Sequence, residues 1–261
     1  MPYRFATERS DASALASGHI LRSAPGRTGF PARLATELFQ RGVARLTDAG
    51  VRPPFIVYDP CCGTGQLLTT VGLLHRDVIR ELIGSDIDDA AIALARRNLA
   101  LVSPEGLERR IAELADLHDR FGKPGHAAAL DDAERWLEPM TRSGSVGIVT
   151  DAFVADATRP GSLIGRIGDQ TVDLVITDVP YGNWSAWSSE RLASGDDAPN
   201  ESPLDRLLET IRPVLAPGAL VTLVSGKDQR VSHPAYRRVE RWQLGRRRIE
   251  MLALATGDRT H

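Results

Sequence analysis

The sequence predicts an α/β fold with a doubly wound, mostly parallel sheet. Short apolar runs with strand character alternate with longer segments of helical periodicity, and several of the runs end in acidic or glycine-containing turns. The 261 residues, 42% hydrophobic and 25% charged, can bury one large core. We therefore expect a single seven-stranded sheet with helices on both faces and an antiparallel edge strand.

The first half of the chain supplies an N-terminal helix and a β-α-β-α unit. The stretch PARLATELFQRGVARLTDAG has apolar residues at helical spacing and stops at Gly50, so we interpret residues 1–50 as an N-terminal helical extension. A strand at Phe55–Asp59 breaks into a glycine turn, and the helix LLTTVGLLHR follows. The next strand, RELIGSDID, ends at Asp86 and precedes the amphipathic helix DDAAIALARRNLALV, which begins at an Asp cap.

The second half contains a helical insertion, further strands and a closing hairpin. Residues from about 103 to 144 are charged and helix-prone, so we interpret them as an insertion in a domain that spans 51–261. Strands return at SVGIVTDAFVADA and VDLVIT, and a short helix is expected between them at 161–167. The helix PLDRLLETIRPVL precedes the strand ALVTLVSG. Two last strands, at 238–244 and 247–255, are expected to form a hairpin.

Charge is unevenly distributed, although the formal net charge is only −2. Residues 1–45 hold seven arginines against three acidic residues, a net charge of +4, and residues 227–261 hold nine Lys or Arg against four acidic residues, a net charge of +5. Two basic ends around an acidic middle favour a surface that binds a polyanion such as a nucleic acid. The alternative is that these arginines are merely solvated.

Several classes of protein are disfavoured. No apolar run approaches the roughly 18 residues that span a bilayer, and the first residues lack the apolar middle of a secretory signal. Cys61 and Cys62 are adjacent, so they cannot join distant segments in a disulfide and they lack the spacing of a zinc site. We therefore expect a cytoplasmic protein without a metal site, and we take it to be a monomer although no sequence feature decides this.

The turn after the first strand is a candidate nucleoside site. Gly63 and Gly65 would let a ligand approach the backbone, and Asp86 follows at the end of the next strand, where an acid can bind ribose hydroxyls. The outer glycines of the dinucleotide pattern G-x-G-x-x-G are missing, and there is no phosphate-binding G-x-x-x-x-G-K-[ST] run. What remains is a nucleoside with a charged tail, whose ammonium group Asp59 could bind, and S-adenosylmethionine fits this description.

Four motifs, DPCCGTG, SDID, ADAT and TDVPYG, occur in this order over about 125 residues. Their order and spacing resemble those of the Rossmann-like class I methyltransferases, and the form of DPCCGTG is similar to enzymes that methylate exocyclic amino groups of nucleic-acid bases. The resemblance implies a cofactor site made by Asp59, Cys61, Gly63, Gly65, Asp86, Ile87, Asp156 and Ala157. Asp156 would lie beside the adenine amino group, and the alternative is that it only caps a loop.

The segment TDVPYG is a candidate catalytic site. Its residues Asp178, Val179, Pro180 and Tyr181 resemble the [D/N/S]-P-P-[Y/F] motif of amino-group methyltransferases, with Val179 in place of the first proline. The carboxylate of Asp178 and the carbonyl of Val179 could each accept a hydrogen bond from a base amine, which would aim its lone pair at the methyl group. Tyr181 could stack on the base. The alternative is a polar turn that ends a strand.

Essentially the full length, including HILRSAPGRTGFPARLATELFQRG and TDVPYGNW, resembles the avilamycin-resistance rRNA methyltransferases of antibiotic-producing actinomycetes. That resemblance implies a guanine of 23S ribosomal RNA, free or in the large subunit, as substrate, and resistance to an orthosomycin antibiotic as outcome. The expected RNA contacts are Arg22, Arg27, Arg33, Trp184, Arg246, Arg247 and Arg248. The alternatives are a protein or small-molecule N-methyltransferase and a catalytically silent RNA-binding or ribosome-assembly factor.

Overall fold

The computed structural model describes residues 3–7, 15, 20–26, 29–141, 147–180 and 202–255. These residues form a seven-stranded sheet with helices packed on both faces. The strands are β1 (Phe55–Asp59), β2 (Ile79–Asp86), β3 (Val149–Val154), β4 (Val172–Asp178), β5 (Leu215–Gly226), β6 (Tyr236–Leu244) and β7 (Arg247–Leu254). The helices are α1 (Ala32–Asp48), α2 (Gln66–Leu74), α3 (Asp89–Leu99), α4 (Pro104–Phe121), α5 (Pro124–Thr141) and α6 (Pro203–Ile211).

The strand order is β3-β2-β1-β4-β5-β7-β6. Strands β1 to β5 pair in parallel, and β7 runs antiparallel to both of its neighbours, so antiparallel pairing closes one end of the sheet. This arrangement confirms the predicted doubly wound, mostly parallel, seven-stranded sheet. The order reverses between β1 and β4, which is where open sheets of this kind form a crevice for ligands.

Two apolar clusters cover the two faces of the sheet. The larger one packs α1, α2 and α3 on one face, together with residues of α4 and α5 such as Leu107 and Ala133. The smaller one packs α6 and the 155–167 segment on the other face, with Leu207 and Leu208 fully buried. The α4–α5 pair occupies most of the interval from 103 to 144 that the sequence marked as helix-prone.

Local signals explain several helix ends. The side chain of Asp88 accepts a hydrogen bond from the Ala91 amide at the start of α3, and Ser103 does the same for Gly106 at the start of α4. Gly122 ends α4 in the left-handed conformation, with φ +58°. These caps fix where each helix begins or ends, and so they fix which residues face the sheet.

The short helix expected at 161–167 is wrong, because this segment is a series of turns. Leu163 and Ile167 are buried at helical spacing, which is why the pattern suggested a helix. However, Gly161 and Gly165 have φ values of +78° and +71°, which a right-handed helix cannot contain. In the described part of the chain, no helix is long and apolar enough to cross a membrane.

The segment before α1 is attached to α1 by a buried carboxylate. Glu37 is fully buried, and its side chain accepts hydrogen bonds of 2.7–2.8 Å from the backbone amides of Arg4, Phe5 and Ala6. Burial opposes its ionisation, yet these donors and Arg41 together lower the pKa of Glu37 below its ordinary value. Residues 4–6 are therefore held against α1 by charge-assisted hydrogen bonds.

Candidate cofactor and catalytic site

Three acidic side chains lie at the carboxyl ends of adjacent strands, on both sides of the point where the strand order reverses. Asp59 ends β1, Asp86 ends β2 and Asp178 ends β4. Tyr58 pairs with Val175, so Asp178 lies two residues, roughly 7 Å, farther along the strand direction than Asp59. The topology therefore brings two of the predicted sites, the cofactor turn and the segment TDVPYG, to one crevice.

The glycine turn between β1 and α2 leaves room for a ligand at its surface. Gly63 and Gly65 both adopt positive φ, +52° and +73°. A Cβ on Gly63 would meet no atom within 4 Å, whereas one on Gly65 would lie 3.2 Å from Ala95 of α3. Gly63 is thus needed for the left-handed turn, and Gly65 is needed both for the turn and for close packing. The Gly63 amide donates a 2.8 Å hydrogen bond to the Asp86 carboxylate, which joins the turn to the end of β2.

Asp59 is buried among other acids. Its side chain accepts a 3.1 Å hydrogen bond from the Cys61 amide, and the residue is only 2% exposed. Burial, aided by the negative charges of Asp86 and Asp178, raises the pKa of Asp59 to about 7. A bound cation would reverse both effects, because it replaces the lost hydration and offsets the neighbouring charges. The electrostatics of this crevice therefore favour a positively charged ligand.

The two cysteines behave as packing residues. Burial, with the nearby Asp59 and Asp86 carboxylates, raises the pKa of both the Cys61 and the Cys62 thiol well above the ordinary value. Cys62 is buried and packs against the position of Gly84, where an added Cβ would lie 2.9 Å from its sulfur. A thiolate nucleophile is disfavoured here, so a mechanism that attacks a base through cysteine does not suit this crevice.

The end of β2 presents both polar and apolar groups. The other oxygen of the Asp86 carboxylate accepts a 3.0 Å hydrogen bond from the Asp88 amide, which fixes the carboxylate between two backbone donors. Ile87 is 51% exposed and Val154, at the end of the neighbouring strand β3, is 48% exposed. Exposed branched apolar side chains next to an oriented carboxylate suit a flat heterocycle attached to a sugar.

Asp156 occupies the loop that follows β3. One oxygen of its carboxylate accepts hydrogen bonds from the Thr158 amide and hydroxyl, at 2.9 and 2.6 Å. Ala157 between them is buried in the smaller apolar cluster. Asp156 therefore does cap its loop, and a contact of its second oxygen with an adenine amino group stays a prediction.

The end of β4 is held by its neighbour. The Val179 amide donates to the Val224 carbonyl at 3.0 Å, so pairing with β5 continues past Asp178. The Pro180 carbonyl accepts a 3.0 Å hydrogen bond from the side-chain amide of Gln229, whose oxygen accepts from the Gly226 amide. Gln229 thus joins the ends of β4 and β5. Tyr181 and Trp184 lie outside the described residues.

The predicted RNA-binding arginines fall into two groups. Arg22 donates to Glu113 at 2.6 Å and to the Arg97 carbonyl at 2.9 Å, and Arg33 donates to the carbonyls of the N-terminal segment at Ala6 and Thr7. Both guanidinium groups therefore have internal partners, and we leave them out of the proposed RNA surface. Arg27 lies outside the described residues.

The arginines of the C-terminal hairpin lie at the same edge of the sheet as the crevice. This is because β7 begins where β5 ends, with Arg247 opposite Gly226 and Arg248 opposite Ser225. Arg246, in the hairpin turn, is exposed. Arg247 lies over the ring of Phe30, and Arg248 donates a 2.7 Å hydrogen bond to the backbone carbonyl of Gln229. Of the three, Arg246 is therefore best placed to meet a ligand.

Two residues that the sequence interpretation missed support the site. Gln229 is one, and Asn98 of α3, which donates to the Thr64 carbonyl in the glycine turn, is the other. Asn98 carried a usable signal, because it is a polar residue on the apolar stripe that includes Ile92 and Ala95. Within the described residues, no group of three or more His, Cys, Asp or Glu side chains is placed to hold a metal ion.

Comparisons with known proteins agree with this geometry. The family model of the rRNA methyltransferase AviRa matches residues 1–247. A Streptomyces viridochromogenes protein named 23S rRNA (guanine(2535)-N(1))-methyltransferase is 39% identical over 254 residues, covering 97% of this chain and 96% of that protein.

Two solved structures of the S. viridochromogenes rRNA methyltransferase aviRa match with a TM-score of 0.79 each. Their sequences are 37% and 36% identical to this chain. The aligned regions cover 96% and 97% of this chain, respectively, and 96% of each matched chain. The match is nearly full length in both directions, and the family model covers the N-terminal segment, β6 and the hairpin turn. The chain therefore belongs to the AviRa family of rRNA methyltransferases.

Proposed function

We propose that this enzyme transfers a methyl group from S-adenosylmethionine to N1 of a guanine in 23S ribosomal RNA. One observation carries the proposal: the ends of the neighbouring strands β1 and β4 bring a buried acid, Asp59, and a partly buried acid, Asp178, to one crevice. The relative named above methylates N1 of guanine by its name. Such a modification is expected to confer resistance to an orthosomycin antibiotic such as avilamycin.

The residues of the glycine turn fit the methyl donor. S-adenosylmethionine, when bound, supplies an activated methyl group on a sulfonium. Asp59 is suited to bind its ammonium group, since a cation compensates the buried charge. Asp86 has two oriented oxygens for the ribose hydroxyls, and Ile87 offers an apolar surface to the adenine ring. The open space beside Gly63 lets the donor approach the backbone.

Methylation of N1 gives Asp178 a different role from the one expected for an exocyclic amine. Guanine N1 carries a hydrogen, which must leave when the new N–C bond forms and the S–C bond breaks. A carboxylate at Asp178 can accept that hydrogen bond and then the proton. The carbonyl of Val179 can accept a hydrogen bond from the adjacent 2-amino group. Because Val179 is fixed to β5 through its amide, its carbonyl is oriented without the proline that related motifs place there.

A cationic rim beside the crevice suits the phosphates of the RNA. Lys227 and Arg230 follow β5 and are exposed, as is Arg246 in the hairpin turn. The β7 strand is two strand spacings, roughly 10 Å, from β4. Such contacts position RNA on the protein but do not select the base. We therefore place base recognition in the crevice and RNA docking on the 227–230 loop and the 244–247 turn.

A labelled-methyl experiment tests the proposed function. Tritiated S-adenosylmethionine is incubated with the protein and with 23S rRNA, large subunits or total protein, and the RNA is digested to nucleosides. We expect the label in 1-methylguanosine. Asp178→Asn should lower the rate by at least about a hundredfold while the dissociation constant of the donor stays within about twofold.

Other outcomes would contradict particular parts of the proposal. Label in protein would favour a protein N-methyltransferase, and no label in any acceptor would favour a silent RNA-binding factor. Label in 2-methylguanosine would restore the amine role of Asp178. Loss of donor binding in Asp178→Asn would show that this carboxylate belongs to the donor site rather than to the acceptor site.

A further inference from the structure

Residues 20–22 of the N-terminal segment and the cofactor turn contact the same buried side chain. Asn98, in the last turn of α3, has no exposed surface. Its side-chain amide donates to the Thr64 carbonyl at 2.8 Å and to the Arg22 carbonyl at 2.9 Å, and its oxygen accepts from the Arg22 amide at 2.9 Å. Both donor hydrogens and the acceptor are therefore used, and all three partners are backbone groups.

The hydrogen bond from Asn98 to Thr64 holds the backbone of the glycine turn directly before Gly65. The Thr64 carbonyl belongs to the peptide that joins Thr64 to Gly65, the left-handed N-cap residue directly before α2. Ala95, about one helical turn before Asn98, packs against Gly65, where an added Cβ would lie 3.2 Å away. Two residues on one face of α3 thus hold this peptide, one through packing and one through a hydrogen bond.

The contact with Arg22 is part of a larger anchor. Ile20 and Leu21 are at most 1% exposed, and the Ile20 carbonyl accepts a 3.0 Å hydrogen bond from Arg110 of α4. The Arg22 side chain donates to Glu113 of the same helix. Residues 20–22 are therefore inserted between α3 and α4, and Asn98 is the described side chain that links them to the turn by hydrogen bonds on both sides.

We infer that Asn98 is a positioning residue that couples docking of residues 20–22 to the affinity for the methyl donor. When residues 20–22 are docked, Asn98 is held in the rotamer that orients the Thr64–Gly65 peptide. When they are displaced, Asn98 loses two of its three partners and the turn loses its support. Coupling between two sites is reciprocal, so donor binding must also stabilise the docked segment. This inference rests on the proposed donor site at Gly63 and Asp86.

Two measurements test the coupling in the full-length protein. The dissociation constant of S-adenosylhomocysteine, which keeps the ammonium and the nucleoside, is measured by calorimetry for wild type and Asn98→Ala. We expect affinity to fall about tenfold, since the turn must then be ordered at the expense of binding. In wild type, hydrogen exchange at the Arg22 amide should slow on addition of the same ligand.

Tyr236→Phe is the matched control. It also removes one buried side-chain hydrogen bond to a backbone carbonyl, that of Leu208 at 2.7 Å, but on the opposite face of the sheet. We expect a smaller loss of thermal stability than in Asn98→Ala, which removes three buried hydrogen bonds, and unchanged ligand affinity. The inference is overturned if Asn98→Ala binds the ligand like wild type, or if Tyr236→Phe weakens binding equally.

If Asn98→Ala fails to fold, the hydrogen-exchange measurement still tests the coupling, because it needs only the wild-type protein. Unchanged exchange at Arg22 with ligand bound would overturn the inference, while slowed exchange supports it. Failure of the proposed donor site has a different signature, since wild type itself would then not bind S-adenosylhomocysteine. The two failures are thus distinguishable in one set of titrations.

Discussion

The two basic ends of the chain have similar net charge but different surroundings. In the N-terminal region, Arg22, Arg33 and Arg45 donate to carboxylates or backbone carbonyls of the protein. In the C-terminal hairpin, Arg246 is exposed at the same edge of the sheet as the crevice. A charge count treats these arginines alike. The difference teaches that position relative to the carboxyl edge of the sheet, and not charge excess, decides which arginines are available to a ligand.

The physical reason lies in how each region satisfies its backbone. Among the residues before α1 that the structure describes, none belongs to the sheet, so side chains such as Arg33 and Glu37 bind their carbonyls and amides. The hairpin satisfies its own backbone through the β6–β7 ladder. Its turn residues are therefore available for a partner. The following predictions separate the two regions, beginning with the largest expected effect.

Loss of Glu37 should show that the N-terminal region is structural. In Glu37→Ala, three backbone amides and the Arg41 guanidinium lose a buried acceptor. We expect the free energy of unfolding to fall by about 3 kcal/mol in urea denaturation. Glu209→Ala, which breaks a half-exposed pair with Arg212, serves as control and should cost less than about 0.5 kcal/mol. Equal losses in the two variants would contradict this assignment.

The pH dependence of binding should separate the crevice from the arginine rim. Burial raises the pKa of Asp59 to about 7 from an ordinary 3.8, so the folded empty protein keeps a proton that the unfolded chain releases. This proton stabilises the empty protein at low pH, and the contribution is lost as pH rises through about 7. Because the ammonium of the ligand requires the carboxylate, its affinity should instead weaken as pH falls.

The expected size of this effect is roughly tenfold per pH unit well below pH 7, in calorimetric titrations with S-adenosylhomocysteine. RNA binding through arginines should stay flat over the same range, since guanidinium groups do not titrate there. In Asp59→Asn, ligand affinity should be lower and independent of pH. A slope retained in that variant would assign the proton to another group.

The smallest effect comes from comparing one arginine of each region. Arg246→Ala should weaken RNA binding about threefold and lower the slope of log affinity against log salt by about 0.7 to 1, with the free energy of unfolding unchanged. Arg22→Ala should do the reverse, costing about 1–2 kcal/mol of stability and leaving the salt slope as in wild type. If Arg22→Ala lowered the salt slope and Arg246→Ala lowered the stability, the N-terminal region would be the RNA-binding one and the hairpin the structural one.

The sequence was most informative where its signals were local. The strand Phe55–Asp59 has the bounds that were predicted, because an apolar run is ended by Asp59 and Pro60. The parallel direction of the first five strands followed from the alternation of helices and strands, whereas their order in the sheet was seen only in the structure. The helix expected at 161–167 failed because the positive φ of its glycines outweighed its apolar spacing.

Contacts between distant segments could not be predicted. Asn98 and Arg22 are separated by 76 residues, and Gln229 and Pro180 by 49 residues. Periodicity reports which face of an element is buried, but not which backbone group a polar side chain will meet. The acidic residues at Asp59, Asp86 and Asp178 were identifiable because parallel strands all end at one edge. The residues that support them, Asn98 and Gln229, could be identified only from the three-dimensional structure.

The antiparallel insertion of β7 between β5 and β6 sets how far the cationic turn extends beyond the sheet. Each strand rises about 3.4 Å per residue, so each residue pair added at the turn would carry Arg246 roughly 3.4 Å farther beyond the end of β5 without changing the pairing behind it. Family members with longer or shorter hairpins should therefore suit target nucleotides at different depths below the nearest phosphate. The length of the β6–β7 hairpin can therefore be compared among family members and related to the RNA site of each.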